Sequence, residues 1–404
     1  MNHRVPRRPP LGLAVLLLAT GCTGGPSATT SPTISSGPTP IVTQAPTTGP
    51  AKPTTTPQLL PGMPAPLSPT DVWAADRPGR FAASVRRVPV RIYVPNSGSN
   101  TVTEIDPRTY RVIRTFPTGR QPQHVVPSWD LRVLWVNNDL GNSLTPINPV
   151  TGLPGRPVTV HDPYNLYFTP DGKHAVVMAS ADRRLVFLDP HTMAAQKSVP
   201  VPCAGVNHAD FAADGRTFVV SCEFSGQLLL VDTAAEKVLQ VLQLPRRRMM
   251  PAPMPQDVKL APNGRFYYVA DMMSNGVWVV TPQPFAVRAF VPTGKGAHGL
   301  YVTRDSRRLI ITNRDEGSIS LLDFATRRVV AKWRIPGGGS PDMGGVSPDG
   351  SVLWVSGRYH GVVYAIRLRD GKLLARLKVG SGPHGLAVFP QPGRYSLGHT
   401  GVFR

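Results

Sequence analysis

Residues 93–106 read YVPNSGSNTVTEID. Two short runs rich in β-branched and aromatic residues flank a polar stretch, residues 96–100, whose residue types tolerate turn geometry. The pattern indicates two antiparallel strands, and an isolated hairpin of this size is at best marginally stable in water. The stretch must therefore belong to a larger sheet, and the rest of the chain indicates which kind.

The same pattern recurs six more times along the chain, for example as HAVVMASADRRLVFLDP at residues 174–190. Each unit is accompanied by a further short apolar run that often leads into an Asp-Gly or Asn-Gly turn. Equivalent positions in these runs are separated by 41, 43, 49, 42, 44 and 42 residues. Four short strands per unit at this period are typical of a β-propeller. The sequence thus predicts an all-β, seven-bladed propeller.

The phase of the repeat predicts how the ring closes. The first unit supplies strands only at residues 90–95, 101–105 and 110–116, which correspond to the second, third and fourth strands of a blade. The chain ends with an unpaired first strand at residues 384–389. We expect this strand to complete the blade that the first three begin, in a three-plus-one clasp that leaves no free sheet edge. The pattern assigns no element to residues 391–404.

The repeat also resembles that of a known family. Residues 93–125, YVPNSGSNTVTEIDPRTYRVIRTFPTGRQPQHV, are similar to the YVTN-repeat β-propeller family, which shares Tyr-Val-x-Asn, Val-x-x-Ile-Asp and Pro-His-Gly elements. The similarity extends over about residues 90–390. It implies the propeller fold and kinship with exported YncE-like propellers. It implies no single activity, because members bind different ligands and related propellers are enzymes.

The N-terminal region has the features of an exported protein. Three arginines precede the apolar residues 11–19, a stretch too short to span a membrane, and we interpret residues 1–21 as a signal peptide. The sequence Ala-Thr-Gly-Cys that ends at Cys22 resembles a lipobox and predicts a lipid on Cys22, with ordinary cleavage and secretion as the alternative. Residues 22–70 are rich in Pro, Thr and Ser and predict a disordered stalk, so the propeller is assigned to residues 71–404.

The charge of the chain narrows the range of binding partners. The chain carries a net charge of +20, and export makes anionic lipid or acidic envelope polymers better partners than nucleic acid. A basic surface without a dedicated ligand is the simpler interpretation of charge alone.

Besides Cys22, the chain has Cys203 and Cys222, and an even pair in an exported protein predicts a disulfide.

One residue per repeat is expected to face the mouth of the central channel, because the first strand of each blade lines that channel. Two histidines and one carboxylate from consecutive repeats form a ligand set suited to a divalent metal, although each His is also part of the repeat consensus. The predicted metal ligands are His298, Asp342 and His384. The predicted ligand-binding ring consists of Gln123, Tyr164, Asn207, Gln256, His298, Asp342 and His384.

Two further sets accompany this ring. The next position along each strand gives a lopsided polar set, in which bracing of the blades is the favoured role for the two histidines; its members are His124, Asn165, His208, Asp257, Gly299, Met343 and Gly385. An insertion at residues 244–256 is expected to lie near residues 271–276. Methionines grouped there form an adaptable apolar surface or, with histidine, a copper site. These are Met249, Met250, Met254, Met272, Met273 and Met343.

The sequence contains no haem-attachment motif, phosphate-binding loop, nucleophile elbow or zinc-protease motif. Any site must therefore be assembled from residues on several blades. We expect a lipid-anchored, non-catalytic module that binds a small ligand or a protein partner through the channel-mouth face. The alternatives are a metal-dependent propeller enzyme, lactonase-like or an oxidoreductase, and an architectural envelope protein.

Overall fold

The predicted architecture is confirmed. The computed structural model describes residues 58–399 and 401–404, and these form seven four-stranded antiparallel sheets arranged as a propeller. The helices among the described residues are two short 3-10 turns, Ala74–Asp76 and Ala83–Val85. In this part of the chain no helix has the length and apolarity needed to cross a membrane.

The strands follow one another in chain order from the inside of each blade to its rim. We number the blades 1 to 7: β28, β1, β2 and β3 form blade 1, and each later group of four strands forms the next blade. The strands are β1 (Arg91–Asn96), β2 (Thr101–Asp106), β3 (Arg111–Pro117), β4 (Pro122–Pro127), β5 (Leu134–Asn138), β6 (Ser143–Ile147), β7 (Val158–Thr159), β8 (Asn165–Phe168), β9 (Ala175–Ala179), β10 (Arg184–Leu188), β11 (Ala195–Pro200), β12 (Val206–Phe211), β13 (Thr217–Cys222), β14 (Gln227–Asp232), β15 (Lys237–Gln243), β16 (Pro255–Leu260), β17 (Tyr267–Asp271), β18 (Gly276–Pro282), β19 (Phe285–Pro292), β20 (Ala297–Val302), β21 (Arg308–Asn313), β22 (Ser318–Asp323), β23 (Arg328–Arg334), β24 (Pro341–Val346), β25 (Val352–Gly357), β26 (Val362–Arg367), β27 (Leu373–Lys378) and β28 (Ala387–Phe389).

The ring closes through the predicted clasp. Strand β28 pairs antiparallel with β1, with Val388 opposite Ile92 and Ala387 opposite Tyr93. The regular strand begins at Ala387, later than the expected residue 384, because the pairing with β1 is interrupted at Gly385, whose amide bonds to blade 2. The amide of His384 donates to the Pro95 carbonyl, and the next amide donates to a residue of β4. The last strand therefore joins blade 1 to blade 2 as well as closing blade 1.

The recurring asparagine at the end of the second strand has a structural role. The Asn96 amide nitrogen donates to the hydroxyls of Thr101 and Thr103 on the neighbouring strand, both at 3.0 Å. Asn138 and Asn313 make the same pair of bonds to hydroxyls in their own blades. A buried amide nitrogen that uses both of its N–H donors in this way fixes the turn between the second and third strands. This explains why the Tyr-Val-x-Asn element marks the repeat.

The chain on both sides of the propeller packs onto the face opposite the channel mouth. On the N-terminal side, the Leu60 amide donates to the Asp214 carbonyl at 2.8 Å, and the Trp73 indole donates to the Leu260 carbonyl at 2.9 Å. On the C-terminal side, the Arg404 guanidinium lies 4.1 Å from the centre of the Trp73 ring. Ordered packing thus begins before residue 70, where composition places the end of the stalk.

Cys203 and Cys222 are joined by a disulfide in the structure, with a sulfur–sulfur distance of 2.07 Å. Cys203 precedes the inner strand of blade 4, and Cys222 ends the next strand, opposite Val206. Both side chains are buried in the apolar core. The bridge therefore ties the start of the inner strand to its antiparallel neighbour.

Replacing both cysteines by serine is expected to lower the free energy of unfolding by about 3 kcal/mol, because the open chain gains loop entropy when unfolded. Denaturant unfolding of the two proteins measures this difference. Thiol titration of the unfolded, unreduced mature chain should find no reactive sulfur at these positions. Two reactive thiols would contradict the bridge.

Candidate binding site at the channel mouth

The channel mouth is formed by the starts of the inner strands and by the turns that follow the second strand of each blade. Six of the seven predicted ring residues are buried, and Tyr164 is half-buried. Two parts of the ring are in direct contact. The imidazole Nδ1 of His384 lies 3.0 Å from Gln123 Oε1, and the Asn207 amide donates to Gln256 Oε1 at 3.5 Å. The structure therefore brings the ring together as expected, although its functional role stays a prediction.

The three predicted metal ligands converge on Asp342. Its carboxylate lies 3.1 Å from His298 Nδ1 and 3.5 Å from His384 Nε2. One ligand atom from each of the three residues falls within 4.8 Å of the other two. The geometry is thus compatible with one shared metal ion, but two guanidinium groups already lie against the same carboxylate.

Those cations are Arg314 and Arg358, which the sequence analysis missed. Arg314 donates to Asp342 Oδ1 at 3.1 Å, and Arg358 Nε lies 3.9 Å from Oδ2. Burial opposes the charge on Arg314, but Asp342 and the nearby Tyr359 outweigh this effect and raise the pKa of Arg314. Arg314 Nε is a buried donor with no hydrogen-bond partner among the described residues. Arg314 therefore has a hydrogen-bond donor that Asp342 does not use.

Both arginines occupy the position that directly follows the second strand of a blade. This position forms an outer ring around the mouth, composed in chain order of Ser97, Asp139, Ser180, Glu223, Met272, Arg314 and Arg358. The two cations come from adjacent blades, 6 and 7, whereas the two acids come from blades 2 and 4. The mouth is therefore dipolar, with a cationic arc facing an acidic one.

The two acids, Asp139 and Glu223, form the acidic arc. We call the predicted ligand-binding ring at the starts of the inner strands the inner ring, and it holds the acidic arc in place. Glu223 accepts a hydrogen bond of 2.8 Å from the Asn207 amide, and burial raises the pKa of Glu223. Burial and repulsion by Asp162 raise the pKa of Asp139 to about 6. Both guanidiniums are near enough to favour the charged form of Glu223. The charges of the cationic arc thus reach the acidic arc across the mouth.

Below the mouth, the channel is filled with imidazole rings. His384 lies 4.8 Å from His124 between ring centres, and His298 lies 6.5 Å from His208. A fifth ring, His399, comes from the C-terminal tail and lies 4.1 Å from His124. Burial lowers the pKa of all five, to about 3 for His124, and the arginines lower those of His298 and His384 further. The imidazoles are therefore neutral at physiological pH.

A family model describes this architecture. The model of the YncE-like β-propeller matches residues 79–394. The chain belongs to this family. The YncE-like assignment confirms the resemblance that the repeat indicates, and it specifies a fold rather than an activity. No curated protein matches the chain significantly.

Solved structures share the fold of this YncE-like propeller at low sequence identity. A chain of Kuenenia stuttgartiensis hydrazine synthase is 19% identical, with a TM-score of 0.61 over 72% of this chain and 96% of that chain. A functionally unknown protein from Desulfotomaculum acetoxidans DSM 771 is 13% identical, with a TM-score of 0.60 over 74% and 98%. Dihydro-heme d1 dehydrogenase NirN in complex with DHE is 15% identical, with a TM-score of 0.55 over 81% and 79%. At these identities the likeness concerns the fold alone.

The second polar set of this YncE-like protein contains the bracing contacts expected of it. His124 Nδ1 donates to the Tyr164 carbonyl at 2.8 Å, and His208 Nδ1 lies 3.1 Å from the Asn165 amide nitrogen. Asp257 accepts from the amide of Leu300 in the next blade at 2.9 Å. These bonds join the inner strands of adjacent blades around the channel.

The predicted methionine group occupies several environments. The Met272 amide donates to the Met254 carbonyl at 3.1 Å, so the insertion does reach the neighbouring turn. The Met272 sulfur contacts Arg314, and Met249 is exposed. Met343 is buried on β24, where the Tyr301 hydroxyl donates to its sulfur at 3.7 Å. The copper hypothesis for this group stays a prediction.

Proposed function

We propose that this YncE-like protein is an exported, non-catalytic binding module whose channel mouth takes a small ligand with an anionic group. The observation that carries the proposal is the cationic arc, Arg314 and Arg358. The two guanidiniums share Asp342, the half-exposed Asp315 reaches Arg314 at 4.0 Å, and the neighbouring histidines are neutral, so Arg358 keeps the less compensated positive charge of the arc. Guanidinium groups recognise carboxylate and phosphate through paired hydrogen bonds.

The acidic arc opposite favours a ligand that also carries a cationic or hydrogen-bond-donating group. Glu223 and Asp139 lie on the far side of the same mouth, and a purely anionic ligand would approach them unfavourably. A zwitterionic or polar-headed molecule satisfies both arcs. The chain's net charge of +20, which becomes +17 without the three arginines of the proposed signal peptide, adds long-range attraction for anions.

The test uses Arg314→Ala and Arg358→Ala, with Arg108→Ala as the matched control at an exposed arginine outside the mouth. The probes are inorganic phosphate, succinate and glutamate, measured by calorimetry with the purified mature protein at low salt. Loss of one charge-assisted contact should weaken binding of a bound probe by about 10- to 100-fold, and the control should leave it unchanged. Equal binding in all variants, or no binding of any probe by the wild type, would count against the mouth as an anion site.

A metal-dependent enzyme is the second candidate, because the ligand atoms of His298, Asp342 and His384 converge within 4.8 Å. Neutral imidazole is the metal-binding form. Against this, a dication at Asp342 would lie beside two guanidiniums that already bind the carboxylate. Charge therefore favours the anion-binding proposal.

Membrane anchoring through Cys22 belongs to the same proposal, and Cys22 lies outside the described residues. Replacing Cys22 by serine should release the mature chain from membranes or block its processing, because no lipid can then be attached. Membrane fractionation of cells that express either form measures this. A variant that fractionates like the wild type would leave the secreted alternative.

A further inference from the structure

The C-terminal tail closes the channel at the end opposite the mouth. The Phe168 amide donates to the Leu397 carbonyl at 3.0 Å, and the His399 amide donates to the Leu166 carbonyl at 3.3 Å. Arg404 forms a buried ion pair with Asp210 at 3.0 Å. Two strands of the propeller therefore hold the tail on both sides of His399.

This arrangement places the His399 ring between two inner-strand histidines. Its centre lies 4.1 Å from that of His124 and 4.8 Å from that of His208. One ring nitrogen from each of the three falls within 4.8 Å of the others, and all three side chains are buried. Gly385 leaves room for the rings, since a Cβ there would lie 2.0 Å from the His124 ring.

The hydrogen bonds of His124 direct one lone pair into this cluster. Its Nδ1 donates to the Tyr164 carbonyl, so its Nε2 is the unprotonated nitrogen of the neutral ring. The Nε2 atoms of His124 and His208 are buried and have no hydrogen-bond partner among the described residues. Buried polar atoms of this kind point to a missing partner.

We propose that His124, His208 and His399 form a metal site for a late first-row ion, Zn²⁺ or copper. Three neutral imidazoles are a known ligand set for such ions, with solvent as the fourth ligand of zinc. Ligands about 2.0–2.1 Å from zinc lie roughly 3.4 Å apart in tetrahedral geometry, so nitrogens that are up to 4.8 Å apart need to approach by up to about 1.4 Å.

The surrounding charges favour this set over the one at the mouth. Lys259 is the cation that acts on His208 and His399, and its Nζ lies 3.7 Å from the carboxylate of Asp257. Among the described residues, Arg358 is the guanidinium whose charge acts on His124, and no guanidinium is among the groups that shift the pKa of His208. Loading through Nε2 requires the His208 proton on Nδ1. The ring then gives up the hydrogen bond that Nδ1 accepts from the Asn165 amide at 3.1 Å and donates instead to the Tyr167 hydroxyl oxygen at 3.4 Å. The Asn165 amide then keeps its contact with the Asn207 carbonyl.

Because the site is closed, the experiment loads the mature wild-type chain during refolding. The protein is unfolded with a chelator, refolded with Zn²⁺, Co²⁺ or Cu²⁺ and desalted, and its metal content is measured. We expect one ion per chain, a cobalt absorption spectrum of low coordination number, and copper resonance spectra that report nitrogen ligands. These spectra test the ligand set in a protein that carries no substitution.

Three variants locate the ion. His399→Ala should weaken metal retention by at least about 100-fold, whereas His384→Ala, in the mouth set, and His191→Ala, at an exposed position, should retain the ion. Circular dichroism confirms folding, and His399→Gln replaces the alanine variant if that chain does not fold. A metal-free wild type, unchanged retention in the His399 variants, or loss confined to His384→Ala would each overturn the proposal. Phosphate binding at the mouth is measured separately, so failure of one site leaves the other result intact.

Discussion

A chain that ends at residue 383 should fail to form a cooperatively folded propeller. The deletion removes β28, whose Val388 and Phe389 are buried, and exposes the apolar edge of β1. It also removes the buried tail residues Tyr395, Leu397 and Phe403. At about 1.5–3 kcal/mol for each fully buried large side chain, the loss is on the order of 10 kcal/mol, an upper value for an extended unfolded reference. The free energy of unfolding of a typical domain is about 5–15 kcal/mol, so the loss is comparable with the entire stability of such a domain.

The matched control is a chain that ends at Pro390, which keeps the clasp and lacks only the tail. We expect it to retain a cooperative thermal transition at a lower temperature than the full chain, because the seven sheets remain joined. Thermal denaturation followed by circular dichroism and limited proteolysis compares the three lengths. If the chain ending at residue 383 melted within a few degrees of the full chain, β28 would not be what closes the ring.

The fold was predictable because one physical pattern is written seven times. Each unit has alternating apolar residues of strand period and a turn residue, such as Asn100, at positive φ. Three units also have an asparagine whose side chain bonds to the next strand. Repetition removes the ambiguity that a single unit such as residues 93–106 leaves. Segments outside the repeat were not predictable in this way. Residues 58–70 and the tail from residue 391 have no periodicity, and their burial depends on surfaces that exist only once the ring has formed.

The residues of the candidate sites also divide into those at a repeat position, which were predictable, and those outside the repeat. Members of the inner ring, such as Asp342, share one position of the repeat, so sequence alignment of the units with one another identifies them. Arg314 and Arg358 also share a repeat position, the one after the second strand, and that register was the available signal. The sequence contains no such signal for His399, because only the path of the tail brings this residue beside His124. Charge compensation at Asp342 likewise depends on distances that spacing along the chain does not give.

Replacement of Asp342 by asparagine should lower stability strongly. The carboxylate is fully buried and lies within 4.0 Å of Arg314, Arg358 and two imidazoles. The substitution keeps the shape of the side chain and leaves two cations without their counter-charge. Breaking a buried ion pair by removing one partner costs about 3–5 kcal/mol. Denaturant unfolding measures the loss, with Asp370→Asn, at an exposed ion pair, as the control.

The same substitution gives opposite signs for the two candidate functions. If the mouth binds an anion, Asp342→Asn releases Arg314 and Arg358 from their internal partner, so phosphate or succinate should bind more tightly in metal-free buffer. If the mouth holds a metal through His298, Asp342 and His384, the substitution removes its only anionic ligand and retention of the ion should fall. Calorimetry with the anions, and metal analysis after refolding with Zn²⁺, are carried out on the same wild-type and variant preparations. Tighter anion binding with no change in metal content supports the anion site. Weaker anion binding contradicts it, because removal of a competing carboxylate leaves no electrostatic reason for the affinity to fall.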